Sequence, residues 1–107
     1  VKRVGFILKV KAELIAEYKR HHQAVWPEML EALRRHGWHN YSLFMREDGT
    51  IFGYVETANG LEAAVAGMSN EPVNARWQAF MAPYFEALSH SRPDESMAQI
   101  EEIFHLQ

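Results

Sequence analysis

Residues 4–23 read VGFILKVKAELIAEYKRHHQ, and the change of period inside this run decides the fold. Val4, Phe6, Leu8 and Val10 alternate with Gly5, Ile7 and Lys9, the two-residue period of a half-buried strand. From about Ala12 to Gln23 the period turns helical, with Leu14, Ile15, Tyr18 and His22 on adjoining parts of one face. Pro27 lacks a backbone N–H and suits the first turn of a second helix, about Pro27 to His36, striped by Met29, Leu30 and Leu33. Gly37 is its natural stop.

Alternation returns from about His39 to Arg46, with His39, Tyr41, Leu43 and Met45 pointing one way and Asn40, Ser42 and Phe44 the other. Asp48-Gly49 is a hairpin turn signal, and Thr50 to Thr57 forms the returning strand until Asn59-Gly60 breaks it. A short helix is expected over Leu61 to Met68. A longer one is expected over Pro72 to Leu88, carrying Val73, Trp77, Phe80, Met81 and Tyr84 at helical spacing. Ser89 to Met97 is polar, holds Pro93 and reads as a loop; Gln99 to Leu106 supplies a closing strand through Ile100, Ile103, Phe104 and Leu106. No internal repeat or low-complexity segment interrupts this order.

Strand, helices, hairpin, helices, strand is the α+β order of the ferredoxin-like split βαβ sandwich, an antiparallel sheet with its helices on one face. The other sheet face stays partly apolar. A second copy covering it predicts a homodimer with facing sheets, a dimeric α/β barrel.

The 107 residues fit a single domain spanning 1–107. With 48% hydrophobic and 23% charged residues, the composition is that of a soluble globule. A net charge of −3 without a basic stripe argues against nucleic acid as a partner. The absence of cysteine excludes disulfides and thiolate chemistry. No apolar run approaches the roughly 18 residues a membrane span needs. The chain enters a strand pattern at once, so a cytoplasmic protein is expected.

Tyr18 and His22 are four residues apart on a helix, one above the other, so both rings can reach one cleft. Histidine both gives and takes a proton near neutrality. The competing reading is a helix–sheet contact with Tyr18 packed and His22 exposed, and spacing alone favours it. Tyr41 on the hairpin and Trp77 on the last long helix could complete a sugar site, where an aromatic face meets ring C–H groups and phenol or imidazole meets hydroxyls. Trp77 taken alone reads as core, and Trp26 beside Pro27 as a staple between the first two helices. His36 and His39 flank Gly37 without a zinc motif, so no metal is expected. His21 lies about 100° round the helix from His22 and points away from it. No phosphate loop or nucleophile elbow is present.

The run Glu17-Tyr18-Lys19-Arg20-His21-His22-Gln23-Ala24-Val25-Trp26-Pro27-Glu28 resembles the E-Y-x-x-R/H-H-x-x-I/V-W-P-E signature of the L-rhamnose mutarotases. Gly37, Asn40-Tyr41-Ser42, Phe52-Gly53, Pro72-Val73, Trp77, Met81, Pro93-Asp94-x-Ser96 and Glu102-Ile103-Phe104-His105-Leu106 follow in the same order, so the likeness covers essentially the whole chain. The resemblance implies a cofactor-free isomerase that interconverts the α and β anomers of L-rhamnose or a related 6-deoxy sugar. It places the family's proton-donating histidine on His22 and its sugar-contacting tyrosines on Tyr18 and Tyr41. Where the family commonly has two successive tryptophans, this chain has Arg76-Trp77. The family's N-P-D-N-S-P loop becomes Arg92-Pro93-Asp94-Glu95-Ser96-Met97. Both departures touch sugar choice: Trp77 would wall the sugar's apolar face, and Arg76 would either offer a donor to a hydroxyl or stand in solvent. The alternative function is a ferredoxin-like dimer acting as a small-ligand-binding module or a cofactorless monooxygenase, since fold alone does not decide activity.

Overall fold

A computed structural model describes residues 1–85 and 97–107. β1 (Lys2–Lys9) turns Val4, Phe6 and Leu8 inward, as its alternation requires, and Val10 just beyond it is also buried. The helical period after it begins as a 3₁₀ turn at Ala12–Leu14 and continues as α1 (Ile15–His22). α2 (Pro27–Arg35) starts at the proline and closes before Gly37, whose φ of +80° is the left-handed conformation glycine adopts cheaply. The hairpin pairs β2 (His39–Met45) with β3 (Thr50–Thr57), and α3 (Leu61–Met68) and α4 (Pro72–Met81) follow. β4 (Ala98–Ile100) closes an antiparallel sheet of order β2-β3-β1-β4.

The core lies between this sheet and the helices. Phe6, Val10, Ile51 and Val55 meet Tyr18, Met29, Ala32, Met68, Trp77 and Met81 in one buried cluster. Phe6 and Gly53 are cross-strand partners, and the Phe6 ring occupies the space that a Cβ at position 53 would need. Glycine is thus required in mid-strand by close approach of an aromatic ring. Across the opposite face, Phe44, Phe52 and Ile100 stay 64%, 42% and 38% exposed.

The sequence pattern and the structure part company in three places. The helix expected to run from Pro72 to Leu88 ends at Met81, and a 3₁₀ turn covers Ala82–Tyr84. Pro83 has no N–H for the helical ladder and its ring crowds the preceding turn. Phe85 is already extended and bridges to Val10. The remaining helix positions 86–88 and the expected loop residues 89–96 lie outside the described residues.

The closing strand is shorter than the expected Gln99 to Leu106. Ile100 pairs with Gly5, and β1 runs only three residues further back, to Lys2. A ladder beyond Ile100 therefore soon runs out of partner, and Ile103, Phe104 and Leu106 extend at 78–88% exposure.

Finally, β2 carries a bulge. His39 pairs with Glu56 and Ser42 with Tyr54, so Asn40 and Tyr41 together face one residue of β3. Asn40 takes a φ of +49°, a conformation asparagine tolerates better than most residues. The extra residue places His39 on the face with Glu56, opposite to Tyr41, correcting the simple alternation that put the two together.

Candidate active site

α1 ends at His22, and the last turn of the helix fixes its ring. His22 Nδ1 lies 3.0 Å from the Tyr18 carbonyl oxygen. A carbonyl only accepts, so Nδ1 carries the proton and neutral His22 keeps its lone pair on Nε2. The rings of Tyr18 and His22 lie 4.2 Å apart and tilted by 36°, the contact that four-residue spacing foretells. Trp77 presents its ring edge-to-face to His22 at 5.6 Å.

Two cavities meet at His22 and Leu43. One, of about 200 Å³, reaches Tyr18, Lys19, Gln23 and Met45. The other, of about 340 Å³, reaches Tyr41, Met29, Leu33 and Trp77. Together they suit a small organic ligand, with aromatic and aliphatic walls and a few hydrogen-bonding groups. Burial pushes the His22 imidazole below its ordinary value, the Tyr18 carbonyl opposes that shift, and charge on His21 adds to it. At neutral pH the ring is therefore uncharged. Burial, helped by nearby Tyr41, raises the Tyr18 phenol, which stays protonated throughout the physiological range.

The structure thus brings His22, Tyr18, Tyr41 and Trp77 to one place. It does not bring Arg76 there. Residues one apart on a helix point about 100° apart; Trp77 is buried, while Arg76 turns outward and its Nη2 donates to Glu28 Oε2 at 3.2 Å. Arg76 lines a separate polar groove with Glu28, Glu31, Arg35 and Glu71. His36 also belongs to that side, its Nε2 3.2 Å from Glu71 Oε1. Among the described residues no group of three or more His, Cys, Asp or Glu side chains is placed to hold a metal. No described helix is long and apolar enough to cross a membrane.

Several contributors carried no strong sequence signal. Trp38 is buried, donates its indole N–H to the Ala64 carbonyl at 3.2 Å, and lies 4.9 Å from the Tyr41 ring. Leu43 lines both cavities. Trp26, expected as a staple, packs edge-to-face on Trp77 at 4.9 Å and stacks on Phe80 at 5.6 Å, closing the aromatic wall from behind. Tyr18 is in turn backed by Phe85, edge-on at 5.6 Å.

Residues 3–106 match the family model for L-rhamnose mutarotase. The chain belongs to the L-rhamnose mutarotase family. Among its relatives, the L-rhamnose mutarotase of Oceanobacillus iheyensis is 35% identical and that of Bacillus subtilis 36%, each alignment covering 99% of both chains. That of Opitutus terrae is 37% identical over 97% of each. The crystal structure of an L-rhamnose mutarotase from Formosa agariphila superposes with a TM-score of 0.79 at 26% identity, covering 100% of both chains. Membership extends across the whole sheet and helix arrangement that frames His22.

Proposed function

We propose that this chain is a cofactor-free isomerase that interconverts the α and β anomers of L-rhamnose or a related 6-deoxy sugar. The observation that carries the reading is the bare Nε2 of His22, at the junction of two cavities shared with Tyr18, Tyr41 and Trp77, in a chain of this family. Nε2 takes the proton of the anomeric hydroxyl while the C1–O5 bond breaks and its electron pair goes to the ring oxygen. The ring oxygen gains a proton from the imidazolium so formed, or through a tyrosine hydroxyl. The opened aldehyde turns about C1–C2 and closes on its other face by the same steps reversed. No electron or group leaves the sugar, so the reaction calls for no cofactor.

Tyr18, kept neutral by burial, and Tyr41 orient the hydroxyls, and Trp77 walls the apolar face of the sugar. Arg76 pairs with Glu28, joining α4 to α2 outside the two cavities, and makes no contact with the sugar in this reading. Anomer exchange of L-rhamnose followed by NMR tests the proposal. The wild type should accelerate exchange and His22→Ala should not. Equal rates in the two would reject His22, and no acceleration of any 6-deoxyhexose would reject the activity.

The strand order and the helices on one face support the ferredoxin-like description of one domain. The exposed Phe44, Phe52 and Ile100 support a homodimer with facing sheets, closing a dimeric α/β barrel. Light scattering should read twice the chain mass, and a monomer at working concentration would sink this arrangement.

A further inference from the structure

His21 and His22 are neighbours on α1, yet only His22 lines the cavities. His21 turns to the far end of α4, where its Nε2 lies 3.0 Å from the Tyr84 hydroxyl. Its ring meets Phe80 edge-to-face at 4.7 Å and Tyr84 at 5.6 Å. α1 is therefore held at two points along α4 and the turn after it, His22 against Trp77 and His21 against Phe80 and Tyr84. We infer that His21 is a positioning residue for His22: its hydrogen bond to Tyr84 sets the roll of α1 against the end of α4, and with it the place of the acid–base ring. The inference rests on the role given to His22 above.

Tyr84 is suited to act as the fixed end of this arrangement. Its carbonyl accepts the Lys11 N–H at 2.8 Å, at the start of the 3₁₀ turn that leads into α1. Its ring lies 6.2 Å from that of Tyr18, and the next residue, Phe85, both backs Tyr18 and bridges to Val10. One short segment thus holds the approach to α1, its middle and its end. A hydrogen bond between two half-buried partners resists rotation in a way that apolar packing on Phe80 does not, because losing it leaves both groups unpaired. Misplacing a catalytic group by about 1 Å can cost up to about 100-fold in rate.

The position also has an electrostatic consequence, since charge on His21 opposes protonation of His22. Among the described residues, the other groups facing the pair that titrate or carry charge are Tyr18 and Lys19 from α1, Tyr41 from β2 and Tyr84 from the turn after α4. Trp77 and Phe80 from α4 are neutral.

Three variants separate geometry from charge, read by anomer-exchange kinetics and by NMR titration of the His22 ring. His21→Gln keeps a partner for Tyr84 and removes the charge. Its kcat should stay within about threefold of wild type, while the acidic limb of the pH profile and the His22 titration both move to higher pH. His21→Leu removes bond and charge, and kcat should fall about tenfold with KM little changed. Tyr84→Phe removes only the bond: kcat should fall several-fold and the acidic limb should stay in place. Wild-type kcat in both the Leu and Phe variants would overturn the positioning role. An unmoved His22 titration in the Gln variant would overturn the coupling. The titration needs no turnover, so a wild type that fails to exchange anomers would reject the activity and leave the coupling to be judged by itself.

Discussion

His22 and His36 each stand at the end of a helix, on opposite sides of α2, and they are held in opposite ways. His36 lies 3.2 Å from the Glu71 carboxylate, which also receives Arg35 at 2.7 and 3.0 Å. Arg35 first, and His36 after it, hold the Glu71 carboxyl below its usual range. His22 has a backbone carbonyl on one nitrogen, a cavity beside it, and no carboxylate among the described residues of the cavity lining. A histidine bound to a carboxylate is committed to joining elements, here α2 to the turn before α4. One bound to a carbonyl keeps a definite tautomer and a usable lone pair. Burial then keeps that lone pair free of a proton at neutral pH.

The comparison breaks most visibly at His22 itself. His22→Ala should lose about 10²–10⁴-fold of the catalysed exchange rate, the usual contribution of a positioned acid–base group. Because the folded ring holds its proton less tightly than a free histidine, the acidic fall in kcat/KM should have its midpoint below the roughly 6.5 of a free histidine. A midpoint well above that value would mean another group limits the reaction.

On the other side of α2, Glu71→Gln should leave anomer exchange within about twofold of wild type and change stability instead. The depressed carboxyl stabilises the fold above the ordinary carboxylate range, and that contribution is lost as pH falls through the depressed value. Melting temperatures measured across the acid range should therefore fall less steeply in the variant. An unchanged slope would show that the Arg35–Glu71–His36 cluster is inert. The smallest effect is expected from Arg76→Ala, with exchange of L-rhamnose again within about twofold, since Arg76 faces Glu28 in the polar groove. A tenfold loss would show that Arg76 reaches the sugar after all.

The order of elements was legible because each carries its own period and its own stop. Leu61–Met68 and Thr50–Thr57 fall where Asn59-Gly60 and Asp48-Gly49 delimit them. The pairing of Tyr18 with His22 followed from helical spacing, and the resemblance supplied the weight that spacing lacked. What could not be read was set by contacts distant in sequence. Nothing near Arg76 announces Glu28, 48 positions earlier, as its partner. Nothing near His21 announces Tyr84, 63 positions later. Trp38 was hidden for a different reason: it and Tyr41 are three apart, and strict alternation assigns such residues to opposite faces.

That last case shows what the bulge at Asn40 accomplishes. An odd interval between two inward aromatics is a parity error for a flat strand, and the left-handed asparagine absorbs it. Counting without position 40, Trp38, His39, Tyr41 and Ser42 alternate in, out, in, out. The strand could therefore gain or lose that one residue without exchanging its inside for its outside. Position 40 is a phase shifter, the place on β2 where the chain can change length while the floor of the cavity keeps its register.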